Sequence, residues 1–385
     1  MIGGFVVAIT DVQFSIQVTS LFMMMVPLHY WIKMRNEIHE EGFEKYQEEG
    51  NLKIHIILPM RNEITNVVRK ISSIVSEIEP YQSATLTVAD SNSYDGTRLA
   101  AEDFLRASNL SKERWEVRNF EILGKNVALN RVIEKNEADI FVMSDADAYV
   151  SPGWLRILLS RFSDEEVGVV SGIEIEDDGG SNFNSFYRRS SNWLRIMESR
   201  LDSTPVLEGS ILAWRSESMG SFRFDERVNA DDAQIGIHSI KSGYRSIVDP
   251  RITFEDFDNS KRTFRESVRR AQGLSITLIR NSNLSIIRGR RFARRSIFNA
   301  IALYIFFPWF ALIFGLNALI AFSDDPVIGH SWEFYSVASI LVVCLAPQGR
   351  SLILGSVISI VAHLQAMVGI RYNNWNPTRS SNYRN

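Results

Sequence analysis

The feature that most constrains this 385-residue chain is the placement of its apolar residues: long apolar runs lie at both ends, and a charge-bearing, alternating stretch lies between them. Residues 12–34 are mostly apolar, long enough to cross a bilayer in the roughly 20 residues a helix needs. Lys33, Arg35 and a charged stretch follow at once, the pattern of a signal anchor; a cleaved leader needs a basic start and a small-residue cleavage site. Gln13, Gln17 and Pro27 interrupt the run, so a helix lying in the membrane interface is the second reading. Towards the C-terminus, residues 297–322, 334–347 and 351–370 are apolar, and the middle run is short for a complete span, which leaves two or three C-terminal helices. A soluble domain tied to a membrane at both ends is implied.

Within the middle, short apolar runs at residues 54–58, 86–89, 139–143 and 167–170 alternate with helix-like stretches at 63–78, 96–107 and 125–136. That alternation belongs to an α/β fold with a parallel sheet flanked by helices. Ligands of such sheets bind beyond the carboxyl ends of the strands, so the residues just after each apolar run carry the functional interest.

Composition removes several classes. A formal net charge of −3 gives no basic footprint for nucleic acid. The single cysteine, Cys344, sits in an apolar run and excludes an internal disulfide or a cysteine zinc cluster. The histidines show no metal-ligand spacing, and no Ser/His/Asp hydrolase elbow is present. Arginines between Arg262 and Arg295, just before the apolar run at 297–322, form a cationic band suited to a membrane face. By the positive-inside tendency, the soluble domain then lies on the cytoplasmic side.

The sharpest local signal is Asp145-Ala146-Asp147 directly after the apolar run at 139–143. Residues two apart on a strand point the same way, so both carboxylates can meet one divalent cation, and a solvated turn is the alternative. Such a cation, Mg2+ or Mn2+, binds diphosphate oxygens and neutralises a departing nucleotide. Pro59-Met60-Arg61-Asn62-Glu63 follows the first run and Asp90-Ser91-Asn92-Ser93-Tyr94-Asp95-Gly96-Thr97 the second, both where nucleotide pockets form. Asp90 can accept hydrogens from a base, and Asn62 or Glu63 can reach base or ribose. Asn62 as a helix cap and Asp95-Gly96-Thr97 as a turn are the plainer readings.

These segments, with Gly124-Lys125-Asn126-Val127-Ala128-Leu129-Asn130 and Pro152-Gly153-Trp154, stand in the order and spacing of the family 2 glycosyltransferases, and residues 53–275 resemble that family. The resemblance implies the GT-A nucleotide-diphosphosugar fold, a Rossmann-like mixed sheet flanked by helices, with transmembrane helices at the N- and C-terminal ends here. It implies donor contacts from Pro59, Asn62, Glu63, Asp90, Lys125 and Asp145, with Lys125 near the phosphates, and a metal at Asp145 and Asp147, above all the second. It extends through Glu208-Gly209-Ser210 to Asp231-Asp232, where family members commonly carry Glu-Asp; the register makes Asp232 the general base and Asp231 a neighbour that raises its proton affinity. Two acidic residues capping a helix are the plainer alternative.

Arg269-Arg270-Ala271-Gln272-Gly273 stands where processive members carry Gln-x-x-Arg-Trp. The tryptophan is absent, which favours addition of a single sugar over polymer synthesis. Arg269, Arg270 or Gln272 bind the donor diphosphate or an acceptor phosphate, or the arginines supply membrane-surface charge. The expected organisation is an anchor at 1–36, a charged linker at 37–51, the GT-A domain at 52–275, a basic juxtamembrane segment at 276–295, transmembrane helices at 296–371 and a polar tail at 372–385. The expected function is metal-dependent, inverting transfer of a sugar from a nucleotide-diphosphate sugar to a lipid-linked or glycan acceptor at the membrane. A polyprenyl- or dolichyl-phosphate sugar synthase and a non-catalytic sugar-nucleotide-binding subunit are the alternatives.

Overall fold

The computed structural model of the protein describes residues 2–37, 52–175, 183–256, 263–285, 291–324 and 332–370. The linker from 38 to 51, the tail from 372 to 385, and Arg262, Arg288 and Arg290 of the cationic band lie outside the described residues. In chain order the first half comprises α1 (Ile2–Glu37), β1 (Ile54–Met60), α2 (Val67–Ile78), β2 (Ala84–Asp90), α3 (Thr97–Ala107), β3 (Trp115–Asn119), α4 (Lys125–Ile133), β4 (Ile140–Ser144), β5 (Ala148–Val150) and α5 (Trp154–Arg161). There follow β6 (Val167–Glu174), α6 (Phe183–Leu201), β7 (Ile211–Arg215), α7 (Ser216–Met219), α8 (Asp231–Lys241), β8 (Arg245–Asp256), α9 (Phe264–Arg280), α10 (Arg291–Ile301), α11 (Phe307–Asp324), α12 (Trp332–Leu345) and α13 (Pro347–Met367).

The strands form one sheet in the order β3-β2-β1-β4-β7-β6-β8-β5. β3, β2, β1 and β4 run parallel, β7 is antiparallel to β4 and β6, and β5 is antiparallel to β8. The sheet is therefore mixed, and the purely parallel pattern suggested by the strand–helix alternation holds only for its first half. β1 is buried along its whole length because helices cover both faces, which is why it reads as a continuous apolar run. On one face Ile54, Ile56 and Leu58 pack with Ile71 and Ile74 of α2, Leu105 of α3 and Leu155 and Leu158 of α5. On the other, Ile57, Phe141 and Met143 meet Leu129 and Val132 of α4, Trp214 of β7 and Ile235 of α8. Emptying one such position, as in Ile74→Ala, costs about 2–5 kcal/mol.

Among the described residues, three stretches are helices long and apolar enough to cross a membrane: Asp11–Asn36, Arg291–Ser323 and Pro347–Met367. α12 is shorter, with 14 residues, or about 21 Å at a helical rise of ~1.5 Å per residue, against a hydrocarbon core of about 30 Å. A π-helical turn, Ala302–Phe306, joins α10 to α11 just ahead of Pro308, whose ring would crowd the preceding turn of a regular α-helix. Polar side chains fasten the helices to each other: the Asn317 amide donates to the Gln13 carbonyl (2.9 Å) and the Gln17 side chain (3.0 Å). Trp309 can only donate, so His363 accepts at Nδ1 (3.0 Å) and donates from Nε2 to Ser275 (2.9 Å), tying α9, α11 and α13 together. α1 docks on α6 through Trp31 against Trp193 and Tyr30 to Glu198, whose carboxyl burial lifts to a pKa of about 7.

Candidate active site

The loops after β1, β2 and β4 meet at one edge of the sheet, as parallel strands require. Asn62 and Asn92 adopt positive φ, 54° and 55°, a conformation asparagine tolerates better than most residues. Asn62 does not cap α2; its side chain accepts from the Tyr94 amide (3.1 Å), and its own amide donates to Ser93 (2.9 Å). Glu63 N–H donates to Thr97 (2.7 Å) and Ile64 N–H to Asp95 (3.2 Å). Asp90, 1 % exposed, receives the Ser93 amide (3.1 Å) and the Ser93 hydroxyl. The two loops thus form one preorganised wall, with Pro59 inside β1, past the last β1–β4 pair at Ile57 and Met143, where a missing N–H costs nothing.

The Asp145-Ala146-Asp147 turn is gripped from two sides. The Asp145 amide and the Ser144 hydroxyl both donate to the Ser210 carbonyl (3.0 Å each). From below, Lys70 of α2, 3 % exposed, donates to the Ser144 hydroxyl (2.8 Å) and the Ala148 carbonyl (2.6 Å), spanning the turn at both ends. Its role was invisible in the sequence, because a lysine in an amphipathic helix reads as solvated.

Lys125 opens α4 after Gly124, whose φ of 146° suits only glycine. Its ammonium lies 2.6 Å from Asp145 Oδ1 and 2.8 Å from Asp231 Oδ2, so one cation joins the β4 turn to the start of α8. The approach is built by two asparagines of the same helix. Asn126 donates to the carbonyls of Asp225 (3.0 Å) and Val228 (2.9 Å), and Asn130 exchanges hydrogen bonds with the backbone of Phe224 (3.0 and 2.9 Å). From the other side α9 presses on the same segment: a Cβ on Gly273 would stand 2.0 Å from the Asn229 carbonyl oxygen.

The result is a charge-crowded cleft. Asp145, Asp147, Asp231, Asp232 and Glu208 face Lys125 and Arg269, with Arg195 of α6 paired to Glu208. Burial lifts the Asp145 carboxyl to a pKa of about 6; Lys125 opposes the rise, and Asp147 and Asp231 add to it. Burial, then the charges of Asp231 and Glu208, carry Asp232 to about 7. Burial works against the Lys125 ammonium, but Asp145 and Asp231 together hold it above its ordinary range. Burial and Arg270 lower Arg269, which feels the charges of Asp231 and Asp145 in return.

The structure therefore brings Asp145, Asp147, Asp232, Lys125 and Arg269 together. It does not bring Gln272 with them: that side chain is 4 % exposed, and its amide donates to the Ile370 carbonyl (2.9 Å), joining α9 to the end of α13. Arg270, one position from Arg269 on α9, is exposed. Among the described residues no preformed group of three or more histidine, cysteine or acidic side chains could hold a metal. The Asp145 and Asp147 pair, with its hard oxygens and excess negative charge, fits Mg2+ or Mn2+, which bind through one or two carboxylates and take the remaining oxygens from phosphates and water.

The model of the family described as "Glycosyl transferase family 2" matches residues 55–249, the whole sheet up to the middle of β8. The chain belongs to this family. As a glycosyltransferase it is similar to the hyaluronan synthase of Streptococcus pyogenes, at 24 % identity over 152 residues, 39 % of this chain and 34 % of that one. It is also similar to glycosyltransferase AglE of Haloferax volcanii, at 28 % over 125 residues, 31 % of this chain and 38 % of that one. The alignments span about a third of the length of these relatives. Among solved structures, the mannosyltransferase PcManGT of Pyrobaculum calidifontis superposes with a TM-score of 0.76 at 20 % identity, covering 91 % of this chain and 99 % of that one. That likeness establishes the GT-A fold of this glycosyltransferase over its catalytic part and an arrangement of flanking helices shared across nearly the whole chain.

Proposed function

We propose that this glycosyltransferase moves one sugar at a time from a nucleotide-diphosphate sugar to a lipid-linked or glycan acceptor at the membrane, with inversion at the anomeric carbon. The observation that carries the reading is the bridging of Asp145 and Asp231 by Lys125, beside an Asp232 carboxyl held near a pKa of about 7. The PcManGT structure was solved with GDP-Man and Mn2+, which supports a nucleotide sugar and Mn2+ or Mg2+ here.

The donor base lies against the wall made by Asp90, Asn62 and Glu63, and its diphosphate faces Lys125 and Arg269. A divalent cation at Asp145 and Asp147 supplies Lewis-acid neutralisation of the departing nucleoside diphosphate. Asp232 accepts the proton of the acceptor hydroxyl; that oxygen forms its bond to the anomeric carbon as the bond to the diphosphate oxygen breaks on the opposite face. A carboxyl near neutrality suits this task, because it is basic enough to take the proton and still ionised for much of the time. A single addition fits the missing tryptophan after Arg269-Arg270, and the arginines ahead of α11 favour a cytoplasmic face for the catalytic domain.

An acceptor already ionised, such as a polyprenyl phosphate, is the second reading, favoured by Arg269 and Lys125 in the cleft; it needs no base. The test is to incubate the full chain in detergent with nucleotide sugars and membrane lipids, with and without Mn2+, and to identify products by mass spectrometry. A glycosylated lipid supports the proposal. Nucleoside diphosphate release with no sugar-bearing product, across the panel, overturns the acceptor class.

A further inference from the structure

We propose that Lys125 and the divalent cation compete for the Asp145 carboxylate, so that the metal binds tightly only together with the donor's diphosphate, which draws the lysine away. The inference rests on the metal and donor assignments made above, and it concerns how that site is regulated. Lys125 is already engaged: its ammonium contacts Asp145 at 2.6 Å and Asp231 at 2.8 Å, with 16 % of the side chain exposed. Asp145 is also one of the two carboxylates on the β4 turn, whose backbone Lys70 and Ser210 hold in place, so the turn keeps that carboxylate beside both cations. A metal at that turn therefore meets an ammonium already neutralising its ligand, and the like charges repel across a few ångströms of partly dehydrated space.

The diphosphate resolves the conflict because it brings anionic oxygens of its own. Lys125 stands at the first residue of α4 on a flexible four-carbon stem, so its ammonium can turn from the carboxylates to a phosphate while Asn126 and Asn130 keep the helix fixed on the 224–228 segment. Asp145 is then free for the metal. Linkage makes the effect reciprocal: whatever factor the nucleotide adds to metal affinity, the metal adds to nucleotide affinity. The arrangement keeps the cleft from accumulating metal without donor and makes the nucleotide and its metal bind as a unit.

Mn2+ binding to the full chain in detergent at pH 8 is read from the loss of the free-ion EPR signal, with and without UDP or GDP, which cannot turn over. In the wild type, the nucleotide tightens Mn2+ binding by about 30-fold, within the usual range of coupling between sites. In Lys125→Met, nucleotide-free Mn2+ binding becomes roughly tenfold tighter and the coupling falls to about threefold, the part that phosphate oxygens supply by ligating the metal directly, while Lys125→Arg keeps the charge and most of the coupling. A lysine that only binds phosphate gives a different signature: Lys125→Met leaves nucleotide-free Mn2+ binding unchanged or weaker, and that result overturns the proposal. If Lys125→Met fails to fold by circular dichroism, Lys125→Gln makes the same comparison with a shorter, neutral side chain. Asp147→Asn separates the proposal from its premise: loss of Mn2+ binding with nucleotide present supports the metal site independently of Lys125. A wild type that binds no Mn2+ even with nucleotide takes away both.

Discussion

The two walls of the cleft are held in different ways. On the donor side, loops after β1 and β2 are stitched by a dense set of hydrogen bonds among Asn62, Glu63, Asp90, Ser93, Tyr94, Asp95 and Thr97. On the acceptor side, Asp231, Asp232 and Glu208 are held by ion pairs and close packing: the Lys125 bridge, the Arg195 pair and the Gly273 contact with Asn229. The first wall is rigid and its polar groups are largely satisfied by each other, which suits recognition of a fixed ligand. The second concentrates like charges under partial burial, which shifts proton affinities and suits chemistry. Variants on the first should change binding, and variants on the second should change turnover and its pH dependence.

The largest expected effect lies on the second wall. Asp232→Asn should lower kcat by about 10³-fold for a hydroxyl acceptor, in the range general bases contribute, with the nucleotide-sugar dissociation constant nearly unchanged. Equal activity in the variant would show that the acceptor oxygen arrives ionised. Next, Lys70→Met should raise the Mn2+ concentration for half-maximal activity by about tenfold, since it releases the Ala148 end of the Asp145–Asp147 turn and loosens the Ser144 end while leaving every carboxylate in place. If Lys70 served only packing, the midpoint of thermal unfolding would fall and the metal requirement would not move.

The pH profile sharpens the same contrast. Asp232 works deprotonated, so with a pKa of about 7 the value of kcat/KM should fall below pH 7, by about tenfold per pH unit. Asp231→Asn removes the neighbouring charge that helps raise that pKa and releases Lys125 towards Asp232, and both changes favour the carboxylate. The acidic limb should move down by about one pH unit. An unmoved limb would assign the ionisation to another group.

Legibility in the sequence divides along the same line. β1, β2, β4 and β6 announced themselves as apolar runs because helices cover both their faces, and α2, α3 and α4 followed from the spacing between the runs. The helix expected from residue 63 begins only at Val67, since Asn62 to Asn66 are engaged in the loop wall. β3 escaped notice as a partly exposed edge strand, Trp-Glu-Val-Arg-Asn, and β5 has only three residues. β8 hid behind Asp249 and Pro250, which sit where its pairing with β6 shifts register, with Asp249 buried against Arg161 and Arg251. On the acceptor side, Asp231 and Asp232 stood out only through family resemblance. Lys70, Arg195 and Gly273 carry no local signal, because the side-chain partners of Lys70 and the Asn229 neighbour of Gly273 are 44 or more positions away, and the partner of Arg195 is on a loop beyond the end of its helix.

The smallest effect tests the first wall. The Ser93 hydroxyl stands between the Asn62 amide and the Asp90 carboxylate, the one group that touches both loops and the proposed base-binding acid. Ser93→Ala leaves the backbone amide of position 93 on Asp90 and the Tyr94–Asn62, Glu63–Thr97 and Ile64–Asp95 bonds between the loops, so the fold should survive. What is lost is the acceptor of the Asn62 amide and the restraint on where Asp90 points; the second, about 1 kcal/mol for one hydrogen bond, reaches the donor as roughly fivefold in KM for the nucleotide sugar at unchanged kcat. The pH profile should stay where it is, because no charge has moved near Asp232. A shift in that profile, or a fall in kcat without a change in KM, would mean that the two walls are mechanically one and that the division between binding and turnover does not hold.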